Sequence, residues 1–286
     1  MILSVKSHAG IIPIPVPILI PGEDPKRWAI QLLKGFYGIK QGPRIWALKL
    51  HSVLTGIGFE RTDCDHSVYV YRCGGVRILL PIHVDDLPLA SNSREALQRI
   101  KSELGSHFKL YDLGLVTSIL GLGMKIVRDR AARTVNLSQS GYITSIMDDF
   151  NMSDCNPCLT QMDEGTTLSV SMSPQTPEER LRMKAVPYRE LVGELLCLAL
   201  TARPDTAYVG VLCRFVKNPG EAHWNAAKRV LRYLRGTVDV SLAYSGSSSP
   251  DLFTAFSDAD LGGHPDNSRS TGGFAICIGG GGRAVG

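Results

Sequence analysis

The sequence lacks any long uninterrupted apolar run. Its one conspicuously apolar stretch, residues 11–20, is interrupted by prolines at 13, 15 and 17. A helix that crosses a bilayer needs about 20 apolar residues, and prolines at alternate positions prevent helix formation. No small-residue cleavage site follows the stretch, so a signal peptide is not indicated either. We predict no transmembrane segment and an irregular N-terminal segment over residues 1–29.

The sequence also lacks the residue patterns of several common sites. Its 7 cysteines are an odd number in a long chain, which argues against a secreted disulfide framework and favours a reducing compartment. Cys155 and Cys158 have the spacing of zinc ligands, but no second such pair accompanies them, so two thiols on a loop are the simpler interpretation. The histidines form no i, i+4 pair, and residues 279–282 lack the Lys-Ser/Thr that follows a phosphate-binding loop.

An excess of charge of either sign is missing as well. Thirty-one Lys and Arg residues against 27 Asp and Glu residues give a formal net charge of +4. This balance permits a nucleic-acid partner without requiring one. With 286 residues, of which 44% are hydrophobic, the chain is long enough for one or two domains with a sizeable core.

Hydrophobic periodicity predicts a mixture of helices and strands. The predicted helices cover residues 43–57, 93–105, 140–150, 188–200 and 218–235, and the predicted strands cover residues 67–71, 76–84 and 87–90, with shorter ones in 107–137 and 251–286. Residues 151–187 are rich in Ser, Thr, Pro and Met, which is typical of a linker or a long loop. Asn218 is the predicted N-cap of the last helix, with Glu221 as its capping-box partner.

Two adjacent carboxylates stand at the tip of a predicted hairpin. Asp85 and Asp86 follow an apolar strand and precede a short returning strand. Such a pair has the hard oxygen ligands that Mg²⁺ prefers, and two ions about 4 Å apart stabilise both oxygens of a phosphoryl displacement. The same pair is also compatible with an ordinary hydrophilic turn. These residues alone leave both interpretations open.

A series of short blocks continues along the rest of the chain. In order they are KGFYGIKQGPRIW (34–46), PIHVDDLPLAS (81–91), FKLYDLG (108–114), LSQ (137–139), VPYRELVG (186–193), RPD (203–205), HW (223–224), AAKR (226–229), LRYLRGT (231–237) and SDAD (257–260). This ordered set resembles the reverse transcriptase of Copia-type retrotransposon Pol polyproteins, and the resemblance covers about residues 30–286.

The resemblance implies an α+β fold. It implies a partial polymerase palm with thumb and connection helices, followed by the start of an RNase H-like domain. The expected divisions are a partial palm and thumb over 30–150, a linker over 151–187, connection helices over 188–245 and a truncated RNase H-like start over 251–286.

The resemblance also implies a function and the residues that perform it. The implied activity is RNA-directed DNA polymerisation with Mg²⁺ or Mn²⁺, acting on an RNA or DNA template–primer and deoxynucleotides, in cytoplasmic particles or the nucleus.

Asp85 and Asp86 are the implied catalytic and metal-binding residues. Asp258 matches the first RNase H metal ligand, with Asp260 as a weaker neighbour, and Gln41 lies in a segment that approaches the nucleotide or template. The implied nucleic-acid-binding residues form a basic stripe on the last helix: Lys228, Arg229, Arg232 and Arg235. The same stripe is equally compatible with the solvent-exposed face of an amphipathic helix.

The chain departs from the family pattern at its most important site. His83 replaces an aromatic residue, and Pro88 falls in the returning strand, where it removes a backbone donor. A third palm aspartate is required on an upstream strand, yet the only Asp before residue 62 is Asp24, in a Pro/Gly-rich turn. We therefore expect the fingers and the first palm strand to be absent, the RNase H ligands after Asp258 to be missing, and this copy to be inactive. The alternatives are a degenerate remnant without catalysis and a nucleic-acid-binding or interaction module.

Overall fold

The computed structural model describes residues 2–8, 40–119, 123–246, 253–279 and 282–285. The chain divides into two compact units, residues 1–116 and 117–286, and each has its own hydrophobic core. Helices and sheets occur in both units, which confirms the predicted α+β class. The apolar stretch 11–20 and Asp24 lie outside the described residues. The divisions that the sequence predicts after residues 29, 150 and 187 remain predictions.

The first unit is an antiparallel sheet with two helices. Its strands have the order β2-β3-β4-β5-β1-β6. The elements are β1 (Ile2–His8), α1 (Gly42–Ile57), β2 (Phe59–Arg61), β3 (Val68–Cys73), β4 (Val76–Pro81), β5 (Leu89–Ser91), α2 (Arg94–His107) and β6 (Lys109–Leu115). Both helices bury apolar residues in the same core as the strands, so the helices cover one face of the sheet.

Local sequence signals explain most of this unit. Pro43 stands in the first turn of α1, and Gly58, with a φ of 103°, caps its end. Ser93 caps α2 by accepting the N–H of Ala96. Gly74 and Gly75 both have positive φ, as a tight hairpin turn between β3 and β4 requires. The predicted helices and the hairpin are confirmed.

Strand β1 was not expected from the sequence. The sequence predicts an irregular segment over residues 1–29, whereas Ile2–His8 pairs with both β5 and β6. The alternation of Leu3, Ser4, Val5 and Lys6 is typical of a strand. It is too short to stand out ahead of a proline-rich stretch.

The second unit is mainly helical, with two small sheets. The strand orders are β10-β9-β8-β7 and β11-β12-β13. The elements are β7 (Ser118–Ile119), β8 (Met124–Asp129), β9 (Thr134–Ser138), α3 (Ser140–Asp149), α4 (Pro177–Lys184), α5 (Tyr188–Thr201), α6 (Val209–Cys213), α7 (Glu221–Gly236), β10 (Leu242–Ser245), β11 (Phe253–Ala259), β12 (Gly272–Ile278) and β13 (Gly282–Val285). Helices α3, α5, α6 and α7 form its core. Among the described helices of the chain, none is long and apolar enough to cross a membrane.

Helix α7 begins two residues later than predicted. Gly220, not Asn218, is its N-cap, and the Nδ1 of buried His223 accepts the Gly220 N–H at 2.8 Å. The N–H of Asn218 instead donates to the carbonyl of Phe215. A side chain at position 220 would meet the carbonyl oxygen of Met172 at 1.9 Å, so this close approach requires glycine. Burial lowers the pKa of His223, which suits its role as a neutral acceptor.

The predicted linker contains regular structure. Residues Val170–Met172 form a short 3₁₀ turn, and α4 follows with a capping box between Thr176 and Glu179. Further upstream, the N–H of Cys158 donates to the carbonyl of Arg232 on α7 at 3.2 Å. This part of the chain therefore packs on the helices of its own unit.

A buried arginine connects two parts of the second unit. Arg203 is 0% exposed. Its guanidinium donates to both carboxylate oxygens of Asp205, at 2.9 and 2.8 Å, and to the carbonyl and hydroxyl of Thr237, at 2.9 and 2.7 Å. The Tyr233 hydroxyl donates to the same carboxylate. Burial raises the pKa of Asp205, but the hydrogen bonds and charge of Arg203, with the Tyr233 bond, outweigh it and lower the pKa overall. Because Thr237 caps α7, Arg203 ties the end of that helix to the chain that follows α5.

We expect Arg203→Met to lower the free energy of unfolding of the second unit by about 3 kcal/mol, because it leaves the partly buried Asp205 carboxylate and the Thr237 carbonyl without their partner. Hydrogen exchange of peptides from α5 and α7, read by mass spectrometry, measures this loss. Arg235→Met removes an exposed arginine from the same helix and is expected to change stability by less than about 0.5 kcal/mol. Equal exchange in the two variants would contradict a stabilising role for the Arg203 network.

Candidate functional site

The two candidate catalytic aspartates stand at a tight reversal between β4 and β5. His83 and Asp86 exchange two backbone hydrogen bonds, at 3.0 and 2.9 Å, which leaves Val84 and Asp85 as the two tip residues. The structure therefore brings Asp85 and Asp86 together at the end of a hairpin, as the sequence predicts. Both residues are half-buried.

The tip has an unusual backbone that a tryptophan supports. Val84 has a φ of 54°, a left-handed conformation that is unfavourable for a β-branched residue by about 1–2 kcal/mol. The indole Nε1–H of Trp46 donates to the Val84 carbonyl at 2.6 Å. Trp46 itself packs edge-on against Phe108, with the ring centroids 5.2 Å apart. Helix α1 thus supports the tip through a directed hydrogen bond.

Buried leucines set the direction in which the hairpin presents its residues. Leu87 and Leu89 are fully buried in the core under α1 and α2. Pro88, between the two leucines, is buried as well, whereas Asp86 is half-buried. Pro88 lies immediately before β5 rather than inside it. The donor that Pro88 lacks is not needed there, because the strand pairing of β5 begins only at Leu89.

The described residues do not fit a two-ion site. Asp85 and Asp86 have suitable oxygen donors, but Mg²⁺ in a two-metal site needs further ligands. Among residues 2–8, 40–119, 123–246, 253–279 and 282–285, no group of three or more His, Cys, Asp or Glu side chains is placed to hold a metal ion. We therefore derive no metal-dependent step from the described residues.

Gln41 stands at the start of α1, and His83 stands in the hairpin beside the tip residues. Gln41 is the N-cap of α1, where its carbonyl accepts the N–H of Ile45 and its side chain makes no capping hydrogen bond. Both Gln41 and His83 are exposed. The predicted contact of Gln41 with a nucleotide or template remains a prediction.

Two residues of the basic stripe on α7 contact other residues of the same chain. Arg229 forms an ion pair with Asp163 at 2.5 Å, and the Nε of Arg232 donates to the carbonyl of Asn156 at 2.8 Å. Lys228 lies over the Trp224 ring, with its Nζ 5.7 Å from the centroid, while Arg235 is exposed. Two of the four cations therefore hold residues 156–163 against the helix. A role of the stripe in nucleic-acid binding remains a prediction.

The predicted RNase H carboxylates lie at one end of β11. Asp258 is exposed and its carboxylate accepts the N–H of Ala259 at 2.9 Å. The Asp260 carboxylate accepts the N–H of Thr271, just before β12. Asp260 therefore fastens the turn that joins the two strands, which is a structural role. Neither aspartate belongs to a metal-binding cluster among the described residues.

The support of the tip by Trp46 is not predicted from the sequence. Hydrophobic periodicity over residues 43–57 indicates which face of the helix is buried and not which polar atom an indole reaches. The one available signal was that a half-buried tryptophan usually finds an acceptor for its N–H. That the Val84 carbonyl is this acceptor can be seen only in the folded structure.

Comparisons with known proteins place the sequence among relatives. Residues 11–164 match the family described as "Reverse transcriptase (RNA-dependent DNA polymerase)". The chain is 38% identical over 258 residues to the "Retrovirus-related Pol polyprotein from transposon TNT 1-94" of Nicotiana tabacum, covering 90% of this chain and 19% of that protein. It is 32% identical over 251 residues to the "Putative transposon Ty5-1 protein" of Saccharomyces cerevisiae, covering 87% of this chain and 78% of that protein.

A relative from Arabidopsis thaliana shows a similar identity and coverage. The chain is 32% identical over 258 residues to the "Retrovirus-related Pol polyprotein from transposon RE2", covering 90% of this chain and 17% of that protein. The chain thus spans less than a fifth of the length of the tobacco and Arabidopsis polyproteins. No solved structure matches it.

We expect Trp46→Phe to loosen the tip, because it removes the N–H that binds the Val84 carbonyl while keeping an aromatic ring against Phe108. Amide exchange in residues 82–88 should become faster, by the equivalent of about 1 kcal/mol. Tyr69→Phe is the matched control, because it removes a hydroxyl that contacts His51 in the same core. If the two variants exchange equally at 82–88, the indole does not support the tip.

Proposed function

Because the chain belongs to the reverse transcriptase family of Copia-type Pol polyproteins, we propose that its first unit is a polymerase palm. The reaction of such a palm is the addition of deoxynucleotides to a primer on an RNA or DNA template. By the same proposal its ligands are a template–primer and deoxynucleotides, its cofactor is Mg²⁺ or Mn²⁺, and its compartment is a cytoplasmic particle or the nucleus. The observation that supports the proposal is the hairpin that holds Asp85 and Asp86 at the end of an antiparallel sheet.

We further propose that this chain does not catalyse nucleotide addition. The palm reaction depends on ions that stabilise charge on the attacking and leaving oxygens. Asp85 and Asp86 are the only part of such a site that the described residues bring together. A pair of half-exposed carboxylates without further protein ligands has little advantage over water in binding Mg²⁺, which dehydrates reluctantly.

Residues 251–286 are the proposed beginning of an RNase H-like domain. The support is the antiparallel sheet of β11, β12 and β13, with Asp258 near the end of β11. Asp260 is engaged with Thr271, so Asp258 is the stronger candidate for a ligand. The activity of such a domain is not part of the proposal for this chain.

Nucleic-acid binding without catalysis is the second candidate function. The second unit has a helical core of its own, so it can present α7 whether or not the palm site works. Lys228 and Arg235 are the members of the basic stripe that do not hold residues 156–163. They are seven residues apart, which is about 10 Å along a helix, and suit contacts with phosphates of one duplex.

Primer extension tests the proposed loss of catalysis. We expect the purified chain not to extend a labelled DNA primer on an RNA template with deoxynucleotides, in either Mg²⁺ or Mn²⁺. Asp85→Ala defines the background from contaminating polymerases, and an active reverse transcriptase run in parallel shows that the substrates are competent. Extension by the unsubstituted chain that Asp85→Ala abolishes would overturn the proposed loss of catalysis.

Salt-dependent duplex binding tests the second candidate. We expect Lys228→Glu with Arg235→Glu to weaken binding of an RNA–DNA duplex about tenfold and to reduce the slope of log affinity against log salt by about 2, since each phosphate contact contributes about 0.9. Lys125→Glu with Arg128→Glu makes the same charge change at exposed positions of β8. Equal losses in the two double variants would mean that net charge, and not α7, governs binding.

A further inference from the structure

A buried histidine joins the start of α7 to a distant turn of the second unit. His223 is 0% exposed, and its ring stacks on Phe215 with the two centroids 4.0 Å apart. Its Nδ1 accepts the Gly220 N–H at 2.8 Å, and its Nε2 lies 3.2 Å from the carbonyl oxygen of Ser169. Because a carbonyl oxygen can only accept, Nε2 carries the ring proton and donates it. The two contacts together therefore select one neutral tautomer.

The turn that contacts His223 is held from its other side by the loop between β11 and β12. The Asp266 carboxylate of this loop accepts the Ser169 hydroxyl at 2.6 Å and the Val170 N–H at 3.1 Å. The N–H of Asp266 in turn donates to Nδ1 of His264 at 3.2 Å. Ser169 thus contacts His223 through its carbonyl and Asp266 through its hydroxyl. A continuous series of hydrogen bonds runs from α7, through the turn, to the loop.

A second proton on the ring removes one of these hydrogen bonds. It occupies Nδ1, so that two donors, Nδ1–H and the Gly220 N–H, face each other across 2.8 Å. Gly220 is buried, and a buried N–H without an acceptor is unfavourable. The bond from Nε2 to Ser169 keeps its donor in both states of the ring. Protonation therefore acts on the start of α7.

The surroundings of the ring determine the pH at which this happens. Among the residues that the structure describes, Asp266 is the charged group whose field acts on His223, and it favours the charged ring, as the Ser169 carbonyl does. Burial outweighs both and lowers the pKa of His223. The Ser169 hydroxyl lowers the pKa of Asp266, which keeps its charge, and Glu221 on α7 is exposed. The stability that the neutral ring provides is therefore complete above the ordinary histidine pKa of about 6.5 and is lost as the pH falls below it.

We propose that His223 is an acid-sensitive latch: the neutral ring holds the start of α7 on the turn at Ser169, and the protonated ring releases it. Release frees the first turn of α7, because Gly220 is its N-cap. It also loosens the adjoining 3₁₀ turn, Val170–Met172, which Ser169 caps. The inference concerns the second unit alone and does not rest on the proposed palm. The helix that responds is the one that carries the basic stripe.

Hydrogen exchange of the full chain at two pH values tests the inference, with each rate divided by the intrinsic rate at that pH. Peptides that cover residues 168–173 and 218–226 report on the latch. We expect their protection to fall about tenfold between about pH 7.5 and about pH 5, as for the loss of a helix cap. A peptide that covers residues 188–201 of α5 should change by less than about twofold. An equal fall in all three peptides, or no fall in any, would overturn the inference.

His223→Gln is the matched variant, because a glutamine at this position of a helix also reaches back to the N-cap N–H and does not titrate. We expect its protection at residues 168–173 and 218–226 to be the same at both pH values. A fall that persists in His223→Gln contradicts the latch. A fall that disappears in His264→Gln contradicts it too, because the titrating group would then lie in the loop between β11 and β12.

Nitrogen NMR of the imidazole rings is a second test, and it needs no substitution. At about pH 7.5 the unsubstituted chain should show one histidine whose Nε2 proton exchanges slowly with water, because the ring is buried and donates to Ser169. This protection should be lost as the pH falls to about 5. If His223→Gln does not fold, this measurement decides. The absence of such a proton, or a proton that stays equally protected at the lower pH, would overturn the inference.

Discussion

The burial of Leu87 and Leu89 on the returning arm of the β4–β5 hairpin is the constraint on which the candidate site depends. Both side chains are fully buried beneath the helices, and Pro88 between them is buried too. A slip of one residue would exchange the two faces and would place a carboxylate in the core. The free energy of burying two leucines, roughly 1.5–3 kcal/mol each, therefore also fixes where Asp86 lies.

In the second unit, one of the sequence blocks that contribute to the family resemblance stabilises the fold. Residues 203–205 contribute to the resemblance, and the structure shows Arg203 fully buried between Asp205 and the C-terminal cap of α7. An arginine satisfies this site because its fork of donors reaches a carboxylate and a carbonyl together. The stripe on α7 gives the same lesson, since Arg229 and Arg232 contact residues 156–163. Charged residues of a recognisable motif thus stabilise the fold before any ligand is considered.

The parts that could be predicted from the sequence were those with local causes. Pro43 and Gly58 delimit α1, Ser93 caps α2, and Gly74 with Gly75 turns β3 into β4, each through its own backbone preference. The start of α7 could not be predicted, because Gly220 is required by the approach of Met172 from a distant segment. Strand β1 is defined by its partners β5 and β6, and the support of Val84 by Trp46 spans 38 residues. Such contacts follow from the fold and leave almost no local signal.

The same contacts separate the shape of the hairpin from its activity. The left-handed Val84 costs about 1–2 kcal/mol, and the Trp46 hydrogen bond and the buried leucines offset this cost from within the protein. None of these interactions involves an ion, so the hairpin geometry persists whether or not the site binds metal. The geometry of Asp85 and Asp86 therefore follows from the packing of the first unit and does not by itself report activity.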